Sequence, residues 1–201
     1  MSEAVSEISA EKDAVLYRIR HSLAHIMAQA VLEIRPEAKM AFGPPVDFGF
    51  YYDFDFGDSP VGERDLEEIE NRMRKIIKEK QPFEQAYKTL DEAVAYLEQT
   101  DQSYKIEYAK ELVESGRARD EGLGFYTNGP FVDMCEGPHL ETTGKVPKAC
   151  FKLDGQNMEV IPRSHGEFMA HRPWGHPENR AGHNQSPIRE SPAFRAIQSR
   201  E

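Results

Sequence analysis

Cysteine is scarce: Cys135 and Cys150 are the only two in 201 residues. Two thiols cannot frame a disulfide scaffold, so a reduced, cytoplasmic setting is expected. No apolar run approaches the ~20 residues of a membrane span, so no membrane partner is expected. The segment Met1–Asp13 lacks the basic start and apolar centre of a secretion signal. Basic residues are the minority, 25 Lys/Arg against 35 Asp/Glu, for a net charge of −10. That excludes nonspecific nucleic-acid binding, which depends on Lys/Arg–phosphate contacts, but leaves room for a small cleft that takes one nucleotide end. There is no internal repeat.

What remains fits a soluble globular chain, with 39% hydrophobic and 30% charged residues. The length suits one domain with an appendage, and ~150 residues bury a core without staples. Three regions are expected: a disordered lead-in over 1–12, a folded domain over 13–154 and a disordered tail over 155–201. The tail reading rests on composition. Residues 156–201 hold five of the 13 prolines, four of the seven histidines, and no apolar periodicity. The tail histidines His165, His171, His176 and His183 are irregularly spaced and read as solvated.

Within the domain a helix should start at Asp13, its N-cap, and stop at Pro36. Leu16, Leu23, Met27, Ala30 and Ile34 form one apolar stripe. His21 and His25 lie on another face that Ala28 and Leu32 continue, so the helix should be buried on both sides. The aromatic run from Ala41 to Phe56 reads as strand, turn, strand. A second helix is expected over 63–80, a strand over 83–89, and a short helix to Gln99 capped by Asp91. Residues 104–115 read as helix or as strand then helix. Strands are expected over 122–134, broken by Asn128-Gly129, a strong hairpin signal, and over 148–153. The fold class is α+β: a mainly antiparallel sheet packed on a long buried helix.

The pattern that carries chemistry is a pair of pairs. His21 and His25 are four apart on one helix face. Cys135 and His139 are also four apart, in a Gly-Pro turn that can bring a thiol and an imidazole to meet them. Each pair alone is weak. Together they form a ligand set that zinc accepts, and equally a set suited to proton transfer near neutral pH. Ser22 stands where zinc peptidases carry a Glu after the first His, so that reading fails.

The stretches RHSLAHIMAQAV, PEAKMAFGPPVDFGFYYDF, DLEEIENRM and FVDMCEGPHLETTGKV resemble the editing domain of bacterial threonyl-tRNA synthetases, over roughly residues 15–153. Alanyl-tRNA editing domains share the paired layout, but carry a Gly-Gly-Gln-Pro-like run where this chain has Gly43-Pro44-Pro45. The resemblance implies hydrolysis of mischarged seryl-tRNA(Thr). It assigns His21, His25, Lys105, Cys135 and His139 to catalysis, and Tyr52 and Asp133 to substrate binding. It implies no required cofactor. Zinc stays possible, with His21, His25, Cys135 and His139 as ligands. The implied partners are a tRNA acceptor end carrying an amino acid and a full-length synthetase. After Leu153 the family's pattern is replaced by Asp154-Gly155-Gln156-Asn157-Met158. The expectation is therefore a freestanding or truncated editing module that does not charge tRNA by itself. Two alternatives stay open: a non-catalytic remnant that binds tRNA or a synthetase, and a zinc-dependent alanyl-type editor acting in trans.

Overall fold

The computed structural model describes residues 2–46, 49–58, 61–147, 150–153 and 194–195. Its architecture is mixed helix and antiparallel sheet, as the sequence pattern implies. Helix α1 spans Ser2–Ile34. It begins ahead of Asp13, because residues 2–12 are Ala, Glu, Ser, Val, Ile and Lys with neither Gly nor Pro, and nothing there breaks a helix. Its end just before Arg35-Pro36 follows from the steric restriction on the residue before proline. Residues 21–31 are buried on every side, as two apolar faces require. Leu16 is an exception to the expected stripe at 44% exposure; the packed part of the helix starts further along.

Helix α2, Glu63–Glu79, packs Leu66, Ile69, Met73 and Ile76 into the same apolar cluster as Leu23, Met27 and Ala30 of α1. Between the two helices in sequence lie four two-residue strands: β1 (Lys39–Met40), β2 (Pro45–Val46), β3 (Gly49–Phe50) and β4 (Phe54–Asp55). They nest as two antiparallel ladders, β1 on β4 and β2 on β3, so the expected strand, turn, strand divides in two. A further strand, β8 (Phe194–Arg195), pairs with β3. The rest of the expected tail lies outside the described residues.

The main sheet has the order β5–β6–β7, all antiparallel: β5 is Phe83–Lys88, β6 Leu123–Asn128 and β7 Phe131–Met134. The hairpin falls where Asn128-Gly129 predicts it, shifted by one position. Asn128 pairs with Phe131, so Gly129 and Pro130 form the two-residue loop. Gly129 has φ +57° and Pro130 is locked at negative φ, the combination of a type II′ turn. Alternation along β7 then sends Val132 and Met134 to one face and Phe131 and Asp133 to the other. The first face meets helices α3 (Leu90–Gln99) and α4 (Ser103–Glu114) in a second apolar cluster. The other meets α1.

Two boundaries differ from the sequence reading. Thr89, not Asp91, caps α3: its hydroxyl accepts from the Glu92 N–H while the Glu92 carboxylate accepts from the Thr89 N–H. Residues 150–153 form no strand. Phe151 and Leu153 insert singly into the core, and the Leu153 N–H donates to the Glu70 carboxylate at 3.1 Å rather than to a ladder. The residues 104–115, undecided by pattern, are helical to Glu114, with Ser115 as the C-cap.

A closed circuit of polar bonds ties the hairpin to both long helices. Asn128 donates to the side-chain oxygens of Gln29 and Gln81. Gln29 donates to Glu33 and Gln81 to Glu79. Arg72 donates to both carboxylates. The end of β6 is thereby tied to α1 a few residues from the histidines.

Candidate hydrolytic site

All seven residues singled out in the sequence meet between α1, β7, α4 and the turn after β7. His21 and His25 project from one face of α1, their ring centroids 5.5 Å apart. His139 comes back over them, 4.1 Å from each ring. Cys135 Sγ lies 3.1 Å from His21 Nε2 and 3.5 Å from His139 Nε2. The turn that permits this contains Gly137 at φ +69°. A Cβ on Gly137 would lie 2.2 Å from the Tyr126 hydroxyl, so only glycine lets the chain pass there. The Gly137 N–H donates to Cys135 Sγ at 3.3 Å, and the Pro138 carbonyl lies 3.3 Å from His21 Nδ1.

Beside the cluster is a buried polar network centred on Asp133. Tyr52 donates its hydroxyl hydrogen to Asp133 Oδ2 at 2.5 Å. Lys105, from the sheet-facing side of α4, pairs with Oδ1 at 2.9 Å and also donates to the Met134 carbonyl. His25 Nε2 is 3.5 Å from Oδ2. The Lys105 ammonium lies over the rings of Phe42 and Tyr52, 5.7 and 5.4 Å from their centroids. Gly43 sits so close beneath Tyr52 that a Cβ would be 2.1 Å from the ring.

Electrostatics keep the cluster uncharged at neutral pH. Burial lowers His21 to about 4 despite opposing help from the Pro138 carbonyl and Asp133. Burial, then the His21 and Lys105 charges, hold His25 well below the ordinary imidazole range. His139 is lowered by burial and by the two other imidazoles. Burial and the Asp133 charge push the Cys135 thiol up to about 12. This is opposite to the depression a thiolate nucleophile needs. The Tyr52 phenol is raised well above its usual value by burial and by Asp133, and so stays a donor.

The donor set also fits a metal ion. Ligand atoms of His21, His25, Cys135 and His139 all lie within 4.8 Å of one another. Tetrahedral zinc at bond lengths of about 2.0–2.3 Å needs ligands about 3.3–3.8 Å apart, a small contraction. His25 Nδ1 is buried and has no hydrogen-bond partner among the described residues, so one nitrogen is open to a ligand.

Sequence reasoning missed the residues that frame these groups. Ser22 accepts from the Leu140 N–H at 2.9 Å and lies 3.4 Å from His139 Nδ1. Phe83 stacks on His139, centroids 4.9 Å apart and 8° from parallel. Tyr126 meets the same ring edge-on. Only Ser22 left a trace in the sequence, as a polar residue inside an apolar helix.

Relatives exist across this region. The chain is 46% identical over 134 residues to threonine–tRNA ligase of Acetivibrio thermocellus, covering 67% of the chain and 20% of that protein. The ligase of Borrelia duttonii matches at 42% over 143 residues, 71% of the chain and 23% of the ligase. That of Borrelia garinii subsp. bavariensis matches at 40% over 144 residues, 72% and 23%. The chain is homologous to a segment of threonine–tRNA ligases. It spans about a fifth of the length of the ligases it matches. No family model matches it. The ligase homology makes this a synthetase-related domain, in accord with the resemblance drawn from its motifs. Among the described residues no helix is long and apolar enough to cross a membrane.

Proposed function

We propose that this domain hydrolyses the ester of seryl-tRNA(Thr), the product of mischarging by a threonine–tRNA ligase. The observation that carries the reading is the convergence of three neutral imidazoles, one thiol and the Lys105–Asp133–Tyr52 network in a chain homologous to those ligases. Serine is threonine less one methyl, and a pocket discriminates such a pair by only about 1–3 kcal/mol, or about 10–200-fold. A second, hydrolytic site that admits the smaller residue supplies the remaining accuracy.

In this reading His25, His139 and Lys105 orient a water and the 2′-hydroxyl of the terminal adenosine. The water attacks the ester carbonyl. Lys105 or an imidazole stabilises the developing oxyanion, and the departing 3′-oxygen takes a proton, leaving free serine and tRNA. Asp133 receives the seryl ammonium or hydroxyl, and Tyr52 lies against the adenosine. Cys135, a neutral thiol, serves as wall and water-positioning group rather than nucleophile. The macromolecular partner is a tRNA acceptor end, with a full-length synthetase as a second candidate. The setting is the cytoplasm.

A second reading is favoured by the four-ligand cluster: a zinc ion held by His21, His25, Cys135 and His139. Held by all four, zinc would be coordinatively closed and structural; it would supply a Lewis acid and a water of lowered pKa only where one ligand gives up its place or a fifth position opens. One assay separates the readings. Purified protein, with and without chelator, is given seryl-tRNA(Thr), threonyl-tRNA(Thr) and seryl-tRNA(Ala). Rapid deacylation of the first alone, insensitive to chelator, supports the proposal. Chelator-sensitive hydrolysis of seryl-tRNA(Ala) supports the zinc editor. No hydrolysis of any substrate means a non-catalytic remnant.

A further inference from the structure

The contacts around Cys135 fix the direction of a hydrogen-bond chain. One end is an obligate acceptor, the Pro138 carbonyl, 3.3 Å from His21 Nδ1. A neutral imidazole bonded there carries its hydrogen on Nδ1, which leaves Nε2 bare. That bare nitrogen is 3.1 Å from Cys135 Sγ, so the single thiol hydrogen goes to it. The sulfur then accepts from its other neighbours, the Gly137 N–H at 3.3 Å and His139 Nε2 at 3.5 Å. His139 therefore carries its hydrogen on Nε2, and its Nδ1 accepts.

The donor to that Nδ1 is Ser22 Oγ, 3.4 Å away and fully buried. The other end of the chain is an obligate donor: the Leu140 N–H occupies a lone pair of Ser22 Oγ at 2.9 Å. The serine hydroxyl hydrogen is left for His139. Reversing the polarity would set the bare lone pair of His139 Nε2 against the sulfur, whose only hydrogen is already committed to His21. One orientation satisfies every member: Leu140 N–H to Ser22, Ser22 to His139, His139 to Cys135, Cys135 to His21, His21 to Pro138.

We infer that Ser22 is a positioning residue that locks His139 in the Nε2–H tautomer. His139 then points its Nε2–H, and His21 its bare Nε2, at the Cys135 sulfur. Resting on the hydrolase reading, this divides the labour among the imidazoles. His139 gives its hydrogen to an ester or water oxygen only where that oxygen takes the place of the sulfur. His21, engaged at both nitrogens, is no base, and the water's proton goes to His25 through its unpartnered Nδ1.

The test begins with metal-free protein labelled with 15N-histidine. Long-range proton–nitrogen spectra identify which ring nitrogen carries hydrogen. The expected result is protonated Nε2 for His139 and protonated Nδ1 for His21. In Ser22→Ala the His139 ring loses its fixed tautomer, and kcat for seryl-tRNA(Thr) falls about 10- to 100-fold with KM unchanged, as for the loss of an orienting hydrogen bond. Wild-type His139 protonated on Nδ1 overturns the inference whether or not the protein is active. So does a Ser22→Ala variant with wild-type spectra and kcat. A wild-type protein that shows the assigned tautomers but hydrolyses nothing upholds the role of Ser22 in fixing the ring and overturns the hydrolase reading instead.

Discussion

Tyr52 and Asp133, 81 positions apart in the chain, share a 2.5 Å hydrogen bond inside the protein. The phenol comes from the aromatic run between two nested ladders, and the carboxylate from the α1-facing side of β7. Their bond therefore joins two separately formed parts of the fold. Tyr52→Phe removes the donor and leaves a buried carboxylate short of one partner. The expected cost is about 1–3 kcal/mol of stability in urea unfolding, together with slower deacylation. A Tyr52→Phe protein as stable as wild type would show that the bond contributes nothing.

Lys105 is 3% exposed and faces Asp133. Lys105→Ala leaves that carboxylate buried without its cation, a loss of about 3–5 kcal/mol. Adding Asp133→Asn to the same protein should restore part of the stability without restoring deacylation. Chemical denaturation of the single and double variants, beside their hydrolysis rates, separates the structural role of the pair from the catalytic one.

Acid should unfold the domain over a defined range. His21 is lowered in the folded state to about 4, against about 6.5 in an unfolded chain, and His25 and His139 are lowered as well. The unfolded chain therefore binds more protons, and stability rises with pH between these values. The contribution is complete above about pH 6.5 and is lost as pH falls towards 4. Denaturant midpoints measured from pH 8 to 4 should decline over that interval, and His21→Gln should flatten the decline.

Gly137 carries both a left-handed backbone and a close approach to Tyr126. Gly137→Ala should cost about 1–3 kcal/mol and withdraw the thiol and His139 from α1. Thermal unfolding reads the first effect; loss of deacylation reads the second. A Gly129→Ala variant, strained in a turn away from the cluster, is the control for stability alone.

Added zinc should raise the melting temperature if the four-ligand set closes on it. Cys135→Ser should remove most of that shift. A wild-type protein whose melting temperature is unmoved by zinc excludes a functional metal reading.

Much of this was visible in the chain. The i,i+4 histidines and the Cys-x-x-x-His turn follow from helical spacing and one Gly-Pro sequence, and both ended at one place. Burial of α1 on both faces was legible in its two apolar stripes. Tyr52, Lys105 and Asp133 came only from resemblance: a lysine in Ser103–Glu114 looks like any helical lysine until the sheet closes over it. Phe83 and Tyr126 take their roles from neighbours distant in sequence, which no local pattern records, and Ser22 showed only as a polar residue inside an apolar helix. The α3 cap went to Thr89 because Glu92 could answer it. Phe151 and Leu153 resemble strand residues, but they are drawn one at a time into the α2 side of the core. The expected disorder of the tail lies outside the described residues, apart from β8.

His21 and Cys135 meet across 114 positions. Bringing such remote points together is entropically slow, whereas the β6–β7 hairpin needs only a two-residue loop. Asp133, Cys135 and His139 thus share one local stretch of chain, while His21 and His25 are brought to them only by the packing of α1. Each segment alone holds reactive groups and no reactive centre. The site exists only in the completed fold.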